Sequence, residues 1–359
     1  VTFDAYQRTT KDMIGPAEAI PAVSGIVPDD RAKINNATLR NRGWELSVSW
    51  NDKLKCGFSY GVGFNVFNYK AVVTKYNNPE GIIYNNHTGL AANKGYYEGM
   101  DIGEIWGYRA DDLFLSNREI DDYLRNVNLT AFKSNDLWRR GDLKYIDSNG
   151  DGRVDGGKGT LADHGDLQII GNTTPKYSFG INLNLGYKGF EVSTLLQGVA
   201  KRDFPISGSN YMFGGNNYNF KEHLDYFSTE NPNGYLPRLT GWKDDKDFLV
   251  NTGYNTTRYL LNAAYMRMKN LTVAYTFNKK QLKHIGISNL KVYVTCDNLF
   301  TVTKLPKQFD PETLNQVNMS AGGDAQNTAP GLTSPMKQNG NGMVYPMNRN
   351  FVFGLDFTF

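Results

Sequence analysis

Cysteine is almost missing. Cys56 and Cys296 stand alone, with no C-x-x-C pair, which excludes a disulfide framework and a cysteine zinc site. Both fall in candidate strands and read as buried free thiols. No stretch approaches the roughly 18–20 uninterrupted apolar residues of a membrane-spanning helix, so any crossing of a membrane must be made by strands. The 39 basic and 36 acidic residues are scattered, without the basic stripe of a nucleic-acid binder, and nucleic acid is discounted as a partner. His87, His164, His223 and His284 are isolated, and no G-x-S-x-G, H-E-x-x-H or phosphate-cradling glycine loop occurs. The chain is therefore read as a non-enzyme. The acid pairs Asp111-Asp112, Asp121-Asp122 and Asp244-Asp245 read as solvated loop charges, not as a glycosidase pair. Val1 to Tyr6 has neither a basic nor an apolar leader segment and reads as part of a strand, as if the sequence began in mid-fold.

What is abundant is aromatic and small. Among 359 residues there are 22 Tyr, 20 Phe and 37 Gly, with a mean hydropathy of −0.50, a mixture that suits strands and turns. Eight segments alternate with the two-residue period of a strand. In Tyr177–Tyr187 the odd positions are Tyr177, Phe179, Ile181, Leu183, Leu185 and Tyr187; the even positions are small or polar. Cys56–Asn68 and Phe351–Phe359 are equally regular. The other candidates are about 1–9, 42–51, 189–201, 262–277 and 289–302.

Alternation alone also describes a soluble sandwich. The links are more informative. Asn51-Asp52-Lys53, Gly186–Gly189 and 278–288 are short, whereas 10–41, 69–176, 203–261 and 303–346 are long, and the two kinds alternate strictly. Short periplasmic turns facing long extracellular loops are the outer-membrane barrel pattern. This gives an all-β chain of about eight antiparallel transmembrane strands. Residues 69–176 then form one long extracellular loop, and Phe351–Phe359 runs inward to the periplasmic rim. Trp44, Trp50, Tyr69 and Tyr187, at strand ends, are candidates for interfacial girdles.

Several stretches resemble the SusC-like TonB-dependent transporters of the Bacteroidetes, the barrel partners of SusD-like surface lipoproteins. They are Asn41–Leu46, Gly141–Asp147 running into Asn149–Gly152, Ile170–Tyr177, Asn182–Phe190, Met266–Thr272, Asp297–Phe300 and Tyr345–Arg349. The resemblance covers nearly the whole chain. It implies the C-terminal part of a transmembrane barrel of about 22 strands in the outer membrane, with a plug inside. The cargo it implies is oligosaccharide, or in some members peptide, imported with energy from TonB. No plug, TonB box or first set of strands is found here. On this reading residues 1–359 form one segment of the barrel, and the plug and remaining strands must come from elsewhere.

Asp147-Ser148-Asn149-Gly150-Asp151-Gly152-Arg153-Val154-Asp155 has the oxygen spacing of a calcium loop. Asp147, Asn149, Asp151 and Asp155 would present side-chain oxygens and Arg153 a backbone carbonyl. The twelfth position, normally a bidentate Glu, is Lys158, with Asp163 or Asp166 as substitutes. An Asn/Asp/Gly-rich turn needs no metal, so both readings stand. Sugar rings stack on flat aromatic faces, and Trp106, Tyr108, Trp138, Tyr211, Tyr218 and Trp242 are the loop candidates for a cargo site. Each could equally pack its own loop. Asn182, Asn184, Glu191 and Gln197 are candidates for the inner wall.

Three function classes follow. The first is glycan import beneath a SusD-like lipoprotein lid, with peptide import by the same kind of transporter as its variant. The second, an outer-membrane hydrolase, lacks a catalytic constellation. The third is a soluble, calcium-dependent β-sandwich lectin, and a need for detergent separates it from the others.

Overall fold

The computed structural model describes residues 1–15, 34–83, 96–110, 112–206, 221–240, 249–282, 286–314 and 347–358. Eight antiparallel strands lie side by side in chain order. They are β1 Thr2–Gly15, β2 Ile34–Lys53, β3 Ser59–Lys75, β4 Lys176–Tyr187, β5 Phe190–Lys201, β6 Tyr265–Phe277, β7 Asn289–Asp297 and β8 Asn350–Thr358. A short strand, Thr301–Thr303, continues the line of β7 and pairs with Tyr265–Arg267 of β6. Among the described residues β1 and β8 each keep one unpaired edge.

All eight expected strands form, and short and long links sort to opposite ends of the sheet. β1 to β3 are longer than the alternation indicates, at 14, 20 and 17 residues. Most of the added residues lie at the long-link end and include Thr10, Lys11, Asp12, Asn35, Asn36, Arg40, Lys70 and Lys75. There the apolar requirement lapses but the hydrogen-bonded ladder continues.

The β2–β3 turn sits later than expected. Asn51–Lys53 stay in β2, and the reversal falls at 54–58, where Leu54 N donates to Phe58 O (2.8 Å) and Gly57 N to Leu54 O (2.9 Å). Gly57 supplies the left-handed φ of +86° that closes it. Cys56 is consequently exposed in a turn and Cys296 is half-buried in β7. The expectation of two buried thiols is corrected, while both are free.

Register divides the sheet into two faces. On one, Trp50 opposes Val62, Val62 opposes Leu183 and Leu183 opposes Thr194; one step along, Val48, Phe64, Ile181 and Leu196 line up. The row continues through Val192 against Val273, Val273 against Val294 and Val294 against Phe353. At Gly198 a Cβ would lie 2.5 Å from the Phe179 ring, so only glycine lets that ring cross the strand. From Tyr60 to Val66 this apolar face runs about 20 Å along β3 at about 3.3 Å per residue, most of the roughly 25 Å apolar band of a transmembrane barrel.

These side chains are not covered by the chain: Trp50 is 64 % exposed, Phe353 78 % and Leu355 66 %. They form the lipid face. Trp44, Trp50 and Tyr187 lie on it at its margins. Tyr69 does not, because it pairs with Gly43 on the opposite face, where the Lys176 Nζ sits 5.6 Å from its ring centroid. Its place among the girdle residues is corrected.

The compact apolar core lies instead among the long links. Tyr108, Leu113, Phe114, Leu129, Phe132, Leu143, Tyr145, Leu167, Phe204, Phe227, Tyr259 and Phe309 pack into one cluster. Small sheets Glu104–Gly107 with Gln168–Asn172 and Asp112–Leu113 with Leu143–Lys144 brace it. Helix α1, Asn117–Leu124, is capped by the Ser116 hydroxyl, which accepts from Glu119 N.

Leu183→Arg, in the middle of the lipid face, should cost about 2–4 kcal/mol of barrel stability. Asn182→Arg, one residue away on the other face, should cost far less. Comparing the heat-modifiable folded fraction of the two variants in detergent checks this, and equal losses would mean that the faces are misassigned.

Candidate functional site

The face opposite the lipid is a polar wall. Ser47 and Asn65, Gly63 and Asn182, Gly61 and Asn184, Asn184 and Ser193, and Ser193 and Thr272 are successive cross-strand partners. Thr272 and Thr295 share a hydroxyl hydrogen bond of 2.9 Å. Gly61 and Gly180 leave room for amides, since a Cβ there would stand 2.3 Å from Asn51 Oδ1 and 2.5 Å from Asn65 Oδ1 respectively.

Toward the short-turn end, Lys291 on β7 reaches over β6 to Glu191 on β5 (Nζ–Oε2 2.6 Å), passing above the buried Ala274. A trough of about 740 Å³ opens here, lined by Asn51, Tyr60, Asn184, Glu191, Ser193 and Lys291 among others. Asn182, Asn184, Glu191 and Gln197, expected on the inner wall, all lie on this face and are exposed.

Higher on the wall, where a bulge at Lys269 shifts the register of β6, a buried charge network holds a loop. The Arg267 guanidinium meets Asp310 Oδ2 at 2.7 Å and Glu312 Oε2 at 3.0 Å, and Lys269 meets the same Glu312 oxygen at 2.8 Å. Burial alone would raise the Asp310 pKa. Arg267 and the N–H groups of Glu312 and Met347 outweigh it and hold the group below the usual carboxylate range. Sequence periodicity gave no sign of this network or of the Lys291–Glu191 bridge, because their partners are 43 and 100 residues apart.

Inside the loop core, Asp142 is fully buried and fully used. Its Oδ2 accepts from Lys133 Nζ (2.7 Å) and Arg139 N (2.8 Å), its Oδ1 from Arg238 Nε (2.6 Å) and Asn251 Nδ2 (2.9 Å). Asn251 Oδ1 in turn accepts from Leu143 N (2.9 Å). Beside it, Gly141 has φ +86°, and a Cβ there would fall 2.3 Å from the Phe227 ring. Four donors from three separate stretches, residues 133–142, 238 and 251, therefore meet at one carboxylate.

The Asp147–Asp155 segment folds as a chain of side-chain-capped turns. Asp147 Oδ1 and Oδ2 accept from Gly150 N (2.6 Å) and Gly152 N (2.8 Å), Asn149 Oδ1 from Asp151 N (2.9 Å), and Asp151 Oδ1 from Arg153 N (3.0 Å). The Arg153 Nε lies 3.3 Å from Asp151 and 3.2 Å from Asp155. Asp166, rather than the twelfth residue, closes the loop, accepting from Ser148 N, Asn149 N and Asp155 N. Burial pushes its pKa up in spite of these donors. The donor types suit a hard cation. Among the described residues, however, no three acidic, His or Cys side chains are arranged around one point.

Of the aromatic candidates, Tyr108 and Trp138 are 2 % and 3 % exposed and belong to the loop core. The Lys133 ammonium lies 4.6 Å from the Trp138 ring centroid. Trp106 packs partly buried against this core, its Nε1 donating to Tyr97 OH (3.3 Å) and its ring 5.6 Å from His164. These three pack the loops, so the structure does not bring them together as an open stacking platform. Tyr211, Tyr218 and Trp242 lie outside the described residues, as do His87, His284, Asp111 and Asp244-Asp245. Asp112, Asp121 and Asp122 are exposed, as expected of solvated charges.

An antiparallel sheet with an uncovered apolar face, a polar opposite face and long links folded over one end defines a wall of a membrane β-barrel. No family model matches the chain. Curated relatives do. TonB-dependent receptor P3 of Formosa agariphila is 25% identical over 363 residues, covering 100% of this chain and 32% of the relative. TonB-dependent receptor P39 of the same organism is 24% identical over 400 residues, covering 100% and 34%. The chain thus spans about a third of the length of the curated relatives it matches.

In fold it is similar to a solved structure of the RagAB peptide transporter, with a TM-score of 0.62 at 20% identity over 99% of this chain and 33% of that one. An 'open-open' state of the RagAB importer gives 0.61 at 19% identity. Over its whole length the chain is thus similar to TonB-dependent receptors, and its fold matches about a third of a RagAB transporter chain.

Asp142→Asn should destabilise the loop assembly by about 3–5 kcal/mol, since it strands the buried Lys133 ammonium. Limited proteolysis of the folded barrel should then cut within 112–146 while the strands stay protected. Unchanged protection of the loops would refute the hub role.

Proposed function

We propose that this chain forms part of the wall and the external loops of an outer-membrane, TonB-dependent importer of oligosaccharides that works with a SusD-like lipoprotein. The single observation that carries the reading is the two-faced sheet: one face apolar and uncovered, the other lined by Asn65, Asn182, Asn184, Ser193, Thr272 and Thr295. Neutral amides and hydroxyls exchange hydrogen bonds readily with a hydroxyl-rich cargo, and none of them binds it tightly enough to stop its passage. The protein's part is binding and passage, without bond chemistry. The plug and the coupling to TonB belong to the whole transporter.

Peptide is the second reading, because an amide-lined wall also matches the donors and acceptors of a peptide backbone. Growth of cells depending on this transporter, offered an oligosaccharide or a peptide as sole carbon source, separates the two. Asn182→Leu with Asn184→Leu should lower uptake severalfold while the barrel still assembles. Unimpaired uptake, or uptake indifferent to loss of TonB and the lipoprotein, would end the proposal.

Calcium at Asp147, Asn149, Asp151 and Asp155, with the Arg153 carbonyl, is proposed as an ordering ion for the external loop. It would have to displace the Arg153 guanidinium from Asp151 and Asp155. Arg153→Ala should therefore tighten calcium binding about tenfold or less, as expected for removal of an exposed competing charge. Calorimetry with calcium checks it, and no binding heat in either form would remove the ion from the proposal.

A further inference from the structure

The lipid face ends abruptly in positive charge at the long-link end. Along β2 the outward positions run Trp50, Val48, Leu46, Trp44 and then Arg42 and Arg40; along β3 they run Val62, Phe64, Val66, Asn68 and then Lys70. Arg42 and Lys70 are direct cross-strand partners, and both are exposed. Like charges placed directly opposite one another destabilise a sheet.

Among the described residues nothing relieves the repulsion. Among the described residues none of the three makes an ion pair; Arg42 Nε donates only to Gln7 Oε1 (2.6 Å). Asp4 and Glu45 are cross-strand neighbours on the opposite face. Asp101, set against Val72 in an isolated bridge, meets Lys176 at 3.5 Å.

We propose that Arg42 and Lys70, with Arg40 beside them, bind the phosphate of a lipid headgroup in the leaflet at the long-link side. The location selects a lipid: the cations sit one step beyond Trp44, where acyl chains against Leu46, Val48 and Val66 would bring a headgroup to the level of the guanidinium. A phosphate there turns a repelling pair into charge-assisted hydrogen bonds, with the planar fork of Arg42 fitting two oxygens and the Lys70 ammonium a third.

The test uses the detergent-purified protein titrated with diphosphoryl lipid A, with bound lipid counted by native mass spectrometry. Arg42→Gln with Lys70→Gln should weaken binding at least about tenfold, the size of one lost charge-assisted hydrogen bond. Lys70→Glu makes the cross-strand pair opposite in sign, so it should raise the melting temperature and still abolish lipid binding. That combination keeps the test open if the double variant folds poorly. Retention of the lipid by Lys70→Glu would overturn the site. Equal retention of dephosphorylated lipid A would overturn the phosphate, and competition by millimolar inorganic phosphate at full strength would overturn the lipid. Cargo uptake, measured alongside, reads the transport proposal separately.

Discussion

The structure rests on one constraint: backbone N–H and C=O groups placed in hydrocarbon have no water to bond and must be paired within the protein. A meander of neighbouring strands meets it with the ladder alone, because every strand from β2 to β7 has partners on both sides. Side chains are then free to serve two solvents, and the two-residue period assigns them. The same ladder explains the abrupt change at Trp44, beyond which β2 and β3 continue with Arg42, Arg40 and Lys70. Pairing outlasts the lipid.

A sheet that turns its apolar residues outward cannot supply a conventional core. The stabilising apolar burial in this chain is therefore concentrated in the links, where Phe132 stacks on Tyr145 at 4.4 Å between ring centroids and Tyr108 meets both edge-on. Long links of this kind would be costly to hold as free loops, since each ordered residue costs about 1–2 kcal/mol of backbone entropy. Aromatic packing offsets that cost. It also explains why Tyr108 and Trp138, which look like a sugar platform in the sequence, are spent on the scaffold.

The strands were legible because burial on one face imposes a pattern that neighbouring residues in the chain display directly. Phe351, Phe353, Leu355 and Phe357 announce β8 without any partner being known. Link parity was legible for the same local reason. The turn at 54–58 was not, since Asn51 and Asp52 have turn chemistry yet are held in β2 by pairing with Gly61 and Tyr60. Tyr69 was misplaced because its face depends on register, which a single strand does not reveal. The roles of Asp142, Arg267 and Lys291 depend on residues tens to hundreds of positions away. Only the calcium-like loop was wholly local, and its spacing captured the turns but not that Asp166 closes it.

Buried charge is placed where the wall and the loops must keep a fixed relation. Asp142 gathers loop segments to one another, whereas Arg267 and Lys269 tie Asp310 and Glu312 to β6. Replacing such pairs by apolar residues often leaves stability unchanged or improves it, so stability alone is a weak account of them. Geometry is the stronger one. An apolar patch tolerates sliding, whereas an arginine between two carboxylates admits one register. The polar face that carries Asn182, Asn184 and Ser193 keeps a fixed relation to the links above it only if they cannot slide along β6. The bulge at Lys269 sets the cations of that strand against a single loop, so the charges that fix the loop's height also fix the mouth of the wall.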